Sequence, residues 1–372
     1  MGGKTLTGNG AFIILMKMSL GGKMIFRKFL FTILVLVNGL LFTAPTYAWD
    51  ETAHEIICHI AYSQLDADTK KWIDDLTSQK ANVSSFSETC FWADGRRKMD
   101  HFVNVPRSTK VITAADCIKG EGCIFDAIRR EITALQNKRT DLKEKQEALK
   151  YLSHWIGDIH QPVRIGFADD FGGNLVRINK NRNCGETLHE VWAKCIVDYA
   201  VQKRNMADNL THYANTILNE ATTEQRMRWL EVRSLAEWAN ESYQLGVRED
   251  VGYCVWLDGE CRYTAEMPRM DMAAQYRKQG VQLGRRSDAE EAKRILRAKA
   301  RDLARSGLSG TTGLAASIIP RRSRSVSLSI KKLIITDEYE EYFTKAVEVR
   351  MVQAGLRLAL VLNSLATSNE DS

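Results

Sequence analysis

Residues Ala148–Asn174 read ALKYLSHWIGDIHQPVRIGFADDFGGN. His154 and Asp158 stand four apart in a stretch of helical periodicity, so both side chains leave one face of a helix a turn apart. Such a pair offers two ligands to one metal, and imidazole with carboxylate suits zinc. Pro162 ends the helix, with His160 just before it. Asp169, Asp170, Gly172, Gly173 and Asn174 then make a tight acidic turn. Taken alone, a His and an Asp at this spacing would more often be a surface ion pair than a ligand pair.

The pair is not alone. Working outward, Trp49 precedes His54, Trp92-Ala93-Asp94 is followed by His101-Phe102, and Leu188-His189-Glu190-Val191-Trp192 lies downstream. The chain closes on Ala354-Gly355-Leu356-Arg357-Leu358-Ala359 with Leu362-Asn363. In this order the motifs resemble those of the zinc-dependent single-strand nucleases and 3′-nucleotidases of the fungal S-one and P-one type, a family related to bacterial zinc phospholipases C. The likeness runs from Trp49 to Asn363 with one interruption.

That resemblance implies a set of roles. One zinc would be held by Asp94, His101, His154 and Asp158. A second would share Asp158 and take His54 and the backbone of Trp49. Two cations a few ångströms apart can neutralise a phosphate and activate water, so hydrolysis needs no protein nucleophile. Asp94, Asp158 and Arg97 become the catalytic candidates. Arg97 is read as a phosphate contact, against a purely structural ion pair. Phe102 would stack a base and Asn104 read its edge, the other reading of Phe102 being core filler.

The family's third zinc uses a second His of an HQPLH motif, the His of NLHxxWD and its final Asp. Here those positions are Arg164, His189 and Ala193. His189 is the one ligand left, so two zinc ions are expected and a third is doubtful. Arg164 is a substrate-binding candidate, a fixed cation where that metal's charge would lie. His160, Asp169 and Asp170 are possible substitute ligands, with nothing in the spacing to compel them.

Charge divides the chain. Of the net +6, residues 1–48 contribute +5 and residues 277–332 contribute +11, leaving −10 on the rest. An acidic body suits a polyanionic substrate only where bound metal neutralises its carboxylates. From Met24 to Ala48 the chain reads as a secretory leader: Arg27 and Lys28, an apolar run from Phe29 to Phe42, and the small-residue exit Thr46-Tyr47-Ala48. A membrane anchor is the competing reading, disfavoured by the short apolar run. Residues 1–23 look like an upstream extension. Cleavage after Ala48 would free the Trp49 amine, which the resemblance makes a metal ligand together with its carbonyl.

All eight cysteines lie beyond that point, an even number that implies disulfides in an oxidising compartment. Local spacing suggests Cys117 with Cys123, Cys184 with Cys195, Cys254 with Cys261, and by elimination Cys58 with Cys90. The absence of any C-x-x-C pair argues against a zinc–thiolate site.

The expected fold is mainly α, a single multi-helix domain of the zinc phospholipase C and single-strand nuclease type with short strands. Helices are expected at Glu51–Leu65, from Asp66 through Leu76, at Ser87–Lys98, Ile124–Asn137, Asp141–Ile159 and Leu188–Gln202. Others follow at about 206–230, at Ser234–Leu245 and at about 338–363. The catalytic domain would comprise 49–264 and 337–366, with a basic insertion at 265–336 and a tail at 367–372. The Arg-rich insertion is read as a solvated segment or a gene-model artefact rather than a nucleic-acid arm, because no aromatic residue follows Tyr276 in it to stack bases.

These readings make the chain an exported enzyme, periplasmic or secreted. It would be a monomer without a membrane anchor once the leader is removed, and its partner would be single-stranded nucleic acid or a nucleotide. The reaction would be zinc-dependent phosphodiester hydrolysis leaving 5′-phosphates. A zinc phospholipase C and a catalytically impaired nucleic-acid-binding relative are the alternatives.

Overall fold

The helices form where a polar cap meets an apolar stripe. Asp50 caps α1 (Glu51–Ser63) by accepting from the Ala53 amide at 3.1 Å, and Ala53, Ile56, Ile57, Ile60 and Ala61 bury one face. Asp66 caps α2 (Ala67–Ser78) through the Thr69 amide at 2.8 Å. Next come α3 (Ile124–Gln136) and α4 (Leu142–Ile159), the latter capped by Asp141. From Ala148 to Ile159 every residue of α4 is buried, so this half is enclosed on all sides and forms the axis of the domain. The computed structural model describes residues 49–78, 85–117, 122–180, 184–232, 234–257, 259–262 and 333–370. The expected leader and most of the basic insertion lie outside them.

After α4 the chain passes through a helical turn (Leu188–Glu190) and a π-helical turn (Val191–Cys195) into α5 (Ile196–Lys203). Then follow α6 (Leu210–Glu220), α7 (Thr223–Glu231), α8 (Leu235–Gly246) and the long α9 (Asp337–Glu370). Among the described residues α9 alone has the length and hydropathy to cross a bilayer, yet 72% of its apolar window is buried inside the protein. Phe343, Val347, Met351, Leu358 and Leu362 lie in the core, each burial stabilising by about 1.5–3 kcal/mol. Gly355 lets α9 close on α1, because a Cβ there would stand 2.5 Å from Ile60 Cγ2.

Strands are short and paired. β1 (Val103–Val105) lies parallel to β2 (Ile165–Phe167), with Val103 opposite Ile165 and Val105 opposite Phe167. This pairing draws the His101-Phe102 segment to the turn that follows α4. β3 (Ile178–Lys180) runs parallel to β6 (Leu333–Ile335), and β4 (Val255–Leu257) with β5 (Glu260–Arg262) makes a hairpin. Disulfides join Cys58 to Cys90, Cys117 to Cys123, Cys184 to Cys195 and Cys254 to Cys261, as the spacing suggested.

Three expected helices differ. Ser87–Lys98 is not a helix. It holds a 3₁₀ turn (Ser87–Thr89) and then irregular turns broken by Gly95 at φ +72° and Arg97 at φ +44°. The segment expected at 206–230 divides at Ala221, where Thr222 and Gln225 form a capping box that starts a new helix. The stretch after Leu188 winds through the π turn before becoming α-helical.

Candidate metal centre

Four segments meet around the C-terminal turn of α4. α4 presents His154 and Asp158, α1 presents His54, the turn after Trp92 presents Asp94, and a 3₁₀ turn (Lys98–His101) presents His101. His54, His154 and Asp158 are fully buried and His101 nearly so. The ligand-type atoms of His54, Asp94 and His154 lie within 4.8 Å of one another, and so do those of His101, His154 and Asp158. His154 belongs to both groups. The structure thus brings together all five side chains expected to hold the zinc pair.

Backbone carbonyls decide which ring nitrogens face inward. His154 Nδ1 lies 2.5 Å from the Cys90 carbonyl and His101 Nε2 lies 2.8 Å from the Arg96 carbonyl. A carbonyl accepts only, so these nitrogens carry the protons and the opposite nitrogens present lone pairs. His101 Nδ1 then faces Asp158 Oδ2 at 2.7 Å and His154 Nε2 at 3.3 Å. His154 Nε2 faces Asp94 Oδ1 at 3.4 Å and Asp158 Oδ2 at 3.3 Å. With the rings neutral, acceptor meets acceptor throughout. Both ring nitrogens of His54, Asp94 Oδ1 and Asp158 Oδ1 have no hydrogen-bond partner although buried. Such a cluster is stable only with positive charge at its centre, and its donor set suits zinc.

Titration points the same way. Burial lowers the His54 pKa to about 3, with the His154 charge adding to it, and burial lowers His101 to about 4. Burial, above all, lifts Asp94 to about 7. At His154 burial opposes protonation, yet Asp158 and Asp94 outweigh it and raise the pKa. Burial would raise Asp158, but His154, Arg164 and His101 hold it well below the usual carboxylate range. The oxygens demand a cation, whether proton or metal.

Close approach makes the cluster possible. A Cβ on Gly157 would lie 2.7 Å from His54 Nδ1, so a side chain there would push the imidazole out. The His54 ring stacks on His154 with centroids 4.0 Å apart. The buried Trp49 indole donates to the Gly157 carbonyl at 2.9 Å, and the Asp50 amide donates to the Ala193 carbonyl at 3.0 Å. Position 49 is therefore pinned one residue from Asp158.

The remaining candidates separate. Arg164, 1% exposed, donates from Nε to the His101 carbonyl at 3.2 Å, and its Nη2 lies 3.6 Å from Asp158 Oδ2. Its guanidinium lies 4.1 Å over the Phe102 ring. Asn104, on β1, has a buried Oδ1 with no hydrogen-bond partner. His189 stands outside both ligand groups, its Nε2 3.3 Å from Arg164 Nη1. Arg97 is held elsewhere, with Nη1 2.7 Å from Glu131 Oε1 and the guanidinium 3.9 Å over Tyr151. His160 faces Arg357 at 2.9 Å, and Arg107 pairs with both Asp169 and Asp170 at 2.6 Å, so none of the three suggested substitutes joins the cluster. Sequence reasoning missed Gly157, Glu131 and the Cys90 and Arg96 carbonyls. Gly157, in the middle of a helix, was the one visible signal.

A family model described as S1/P1 Nuclease matches residues 49–285, well over half of the chain. Endonuclease 2 of Arabidopsis thaliana is 31% identical over 45% of this chain and 62% of that protein. Endonuclease 1 of the same plant is 27% identical over 58% and 79%, and Nuclease S1 of Aspergillus oryzae is 33% identical over 40% and 54%. The alignment with Endonuclease 2 thus spans less than two thirds of that relative's length. With the motif order, the helical architecture and this match in agreement, the chain belongs to the S1/P1 nuclease family.

Proposed function

We propose that the chain is an exported phosphodiesterase that binds two zinc ions and hydrolyses single-stranded RNA and DNA, with 3′-nucleotides as further substrates, leaving 5′-phosphates. The observation that carries this reading is the convergence of three buried imidazoles on Asp94 and Asp158, in two groups whose ligand-type atoms lie within 4.8 Å of one another. When bound, zinc supplies Lewis-acid polarisation and water of lowered pKa.

The chain's own residues do the rest. Asp158 turns its two oxygens to different histidines, Oδ1 to His54 at 3.4 Å and Oδ2 to His101 at 2.7 Å, and would be a ligand common to both ions. Asp94, His101 and His154 would complete one site. His54 and the Trp49 backbone complete the other, which requires the leader to be removed. The Cys90 and Arg96 carbonyls hold the imidazoles in the ligating tautomer. Two carboxylates against two divalent ions leave net positive charge for a phosphodiester anion. Phe102 offers a base the ring face that Arg164 does not cover, and the unpartnered Asn104 Oδ1 accepts from a base edge. Arg97, anchored to Glu131 through Nη1 alone and partly exposed, keeps other donors for a phosphate. Four disulfides among the described residues fit an oxidising compartment outside the cytosol.

The test is cleavage of single-stranded oligonucleotides by the purified protein, with product ends mapped and His154→Ala alongside. Cleavage to 5′-phosphates that the variant loses supports the assignment. Equal activity in the variant, or activity on phosphatidylcholine in place of nucleic acid, defeats it.

A further inference from the structure

Arg164 is a buried cation without a counter-ion of its own. The carboxylate it approaches, Asp158, lies 3.6 Å from Nη2 and is already shared with three histidines, and Asp94 acts on it only through space. Its other contacts are neutral: the His101 carbonyl, the His189 imidazole and the Phe102 ring. A guanidinium removed from water in this way lacks compensation until an anion arrives.

His189 gives the second half of the argument. Its Nδ1 lies 2.9 Å from the Gly172 carbonyl and therefore bears the proton. The lone pair on Nε2 accepts from Arg164 Nη1 at 3.3 Å. That nitrogen is the atom a metal would need, and a cationic donor already faces it. Ala193 nearby supplies no ligand, and Asp169 and Asp170 are held by Arg107. The residues present do not fit a third metal ion.

We propose that Arg164 itself is the third cation of the site, donating from Nη2 to a non-bridging oxygen of the substrate phosphodiester, and that no metal binds at His189. This rests on the phosphodiesterase reading above. The guanidinium brings one positive charge that chelators cannot remove and a planar fork matched to phosphate oxygens. It keeps one positive charge next to Asp158 whatever the metal supply.

The experiment counts zinc by elemental analysis in the full chain after saturation and dialysis, and follows cleavage of a single-stranded oligonucleotide. Two ions per chain are expected in the wild type. Arg164→Met is expected to keep two ions while kcat falls by about 100-fold or more, the effect of losing one charge-stabilising donor. Inhibition by inorganic phosphate should weaken by about 10- to 100-fold in the same variant, one charge-assisted hydrogen bond being lost. The double variant Arg164→His with Ala193→Asp is expected to gain a third ion. Should Arg164→Met fail to fold, Arg164→Lys keeps the charge and loses the fork, and its kcat should still drop with two ions retained. Three ions in the wild type, or two ions with unchanged kcat in the folded Arg164 variant, overturn the inference and leave the phosphodiesterase reading intact. A wild type that holds no zinc and cleaves nothing removes that reading and this inference together.

Discussion

Two buried arginine–histidine pairs flank α4, and they are built alike up to one point. On one side Arg357 Nη1 meets His160 Nε2 at 2.9 Å, while His160 Nδ1 is turned to the Ile156 carbonyl at 2.7 Å. On the other, Arg164 meets His189 Nε2, and His189 Nδ1 is turned to the Gly172 carbonyl. Arg357, however, forks onto Glu241 at 2.6 and 2.8 Å, and the same carboxylate accepts from Arg350 at 2.7 Å. Arg350 also donates to the Trp238 carbonyl and to Ser242. Donors there end on acceptors, and the group is a structural tie between α8 and α9. Around Arg164 the nearest carboxylate belongs to the ligand cluster, and lone pairs face lone pairs. Buried histidine does not mark a site; unbalanced histidine does.

The sharpest way to break this contrast is Asp158→Asn. Loss of the bridging charge should weaken metal binding by more than about 100-fold, since outer partners alone are worth about 10–100-fold, and reduce cleavage to background. Zinc titration against a chelating dye checks it, and retained stoichiometric zinc would contradict the ligand assignment.

On the opposite side Glu241→Gln should leave the zinc count unchanged but strand two buried guanidiniums, at a cost of about 3–5 kcal/mol. Chemical denaturation reads this directly. Loss of zinc without loss of stability would mean that the two regions have been assigned the wrong way round.

Gly157→Ala sits between them. Its Cβ should displace His54 and lower zinc affinity by about 10–100-fold, the range for perturbing ligand placement, while the Glu241 network holds. An unchanged zinc isotherm would show that α1 yields more readily than the packing suggests.

The smallest effect concerns pH. Burial would raise Glu241, but its hydrogen bonds to Arg357 and the Arg350 charge prevail and its pKa is lowered below 4.5. A carboxylate lowered on folding contributes stability that is present above pH 4.5 and lost as the pH falls through its folded value. Melting temperature measured from pH 6 to pH 3 should therefore fall less steeply in Glu241→Gln than in the wild type. Parallel curves would remove Glu241 from the account.

Much of the proposed ligand set was legible because its spacing is helical or its motif short. His154 and Asp158 follow from a four-residue interval, and the buried face of α1 carries His54 with it. His160 was separable in principle, since two residues beyond Asp158 the helix has turned by about 200° to another side. The turns around Asp94 were not legible: Trp92-Ala93-Asp94 looks helical, and only the positive φ of Gly95 and Arg97 undoes it. The break between α6 and α7 was written in Thr222 and Gln225 but outweighed by continuous periodicity. The carbonyls that set the histidine tautomers have no side-chain signature, and neither does the Arg164–His189 contact, which depends on the β1–β2 pairing.

The bond from Cys58 to Cys90 joins the helix carrying His54 to the residue whose carbonyl orients His154. On the proposed function, that bond would have to form before the two segments could hold a metal firmly. If the proposal holds, chain kept in a reducing compartment would grip its imidazoles loosely and bind zinc weakly, so that hydrolytic potency would await the oxidation of Cys58 and Cys90.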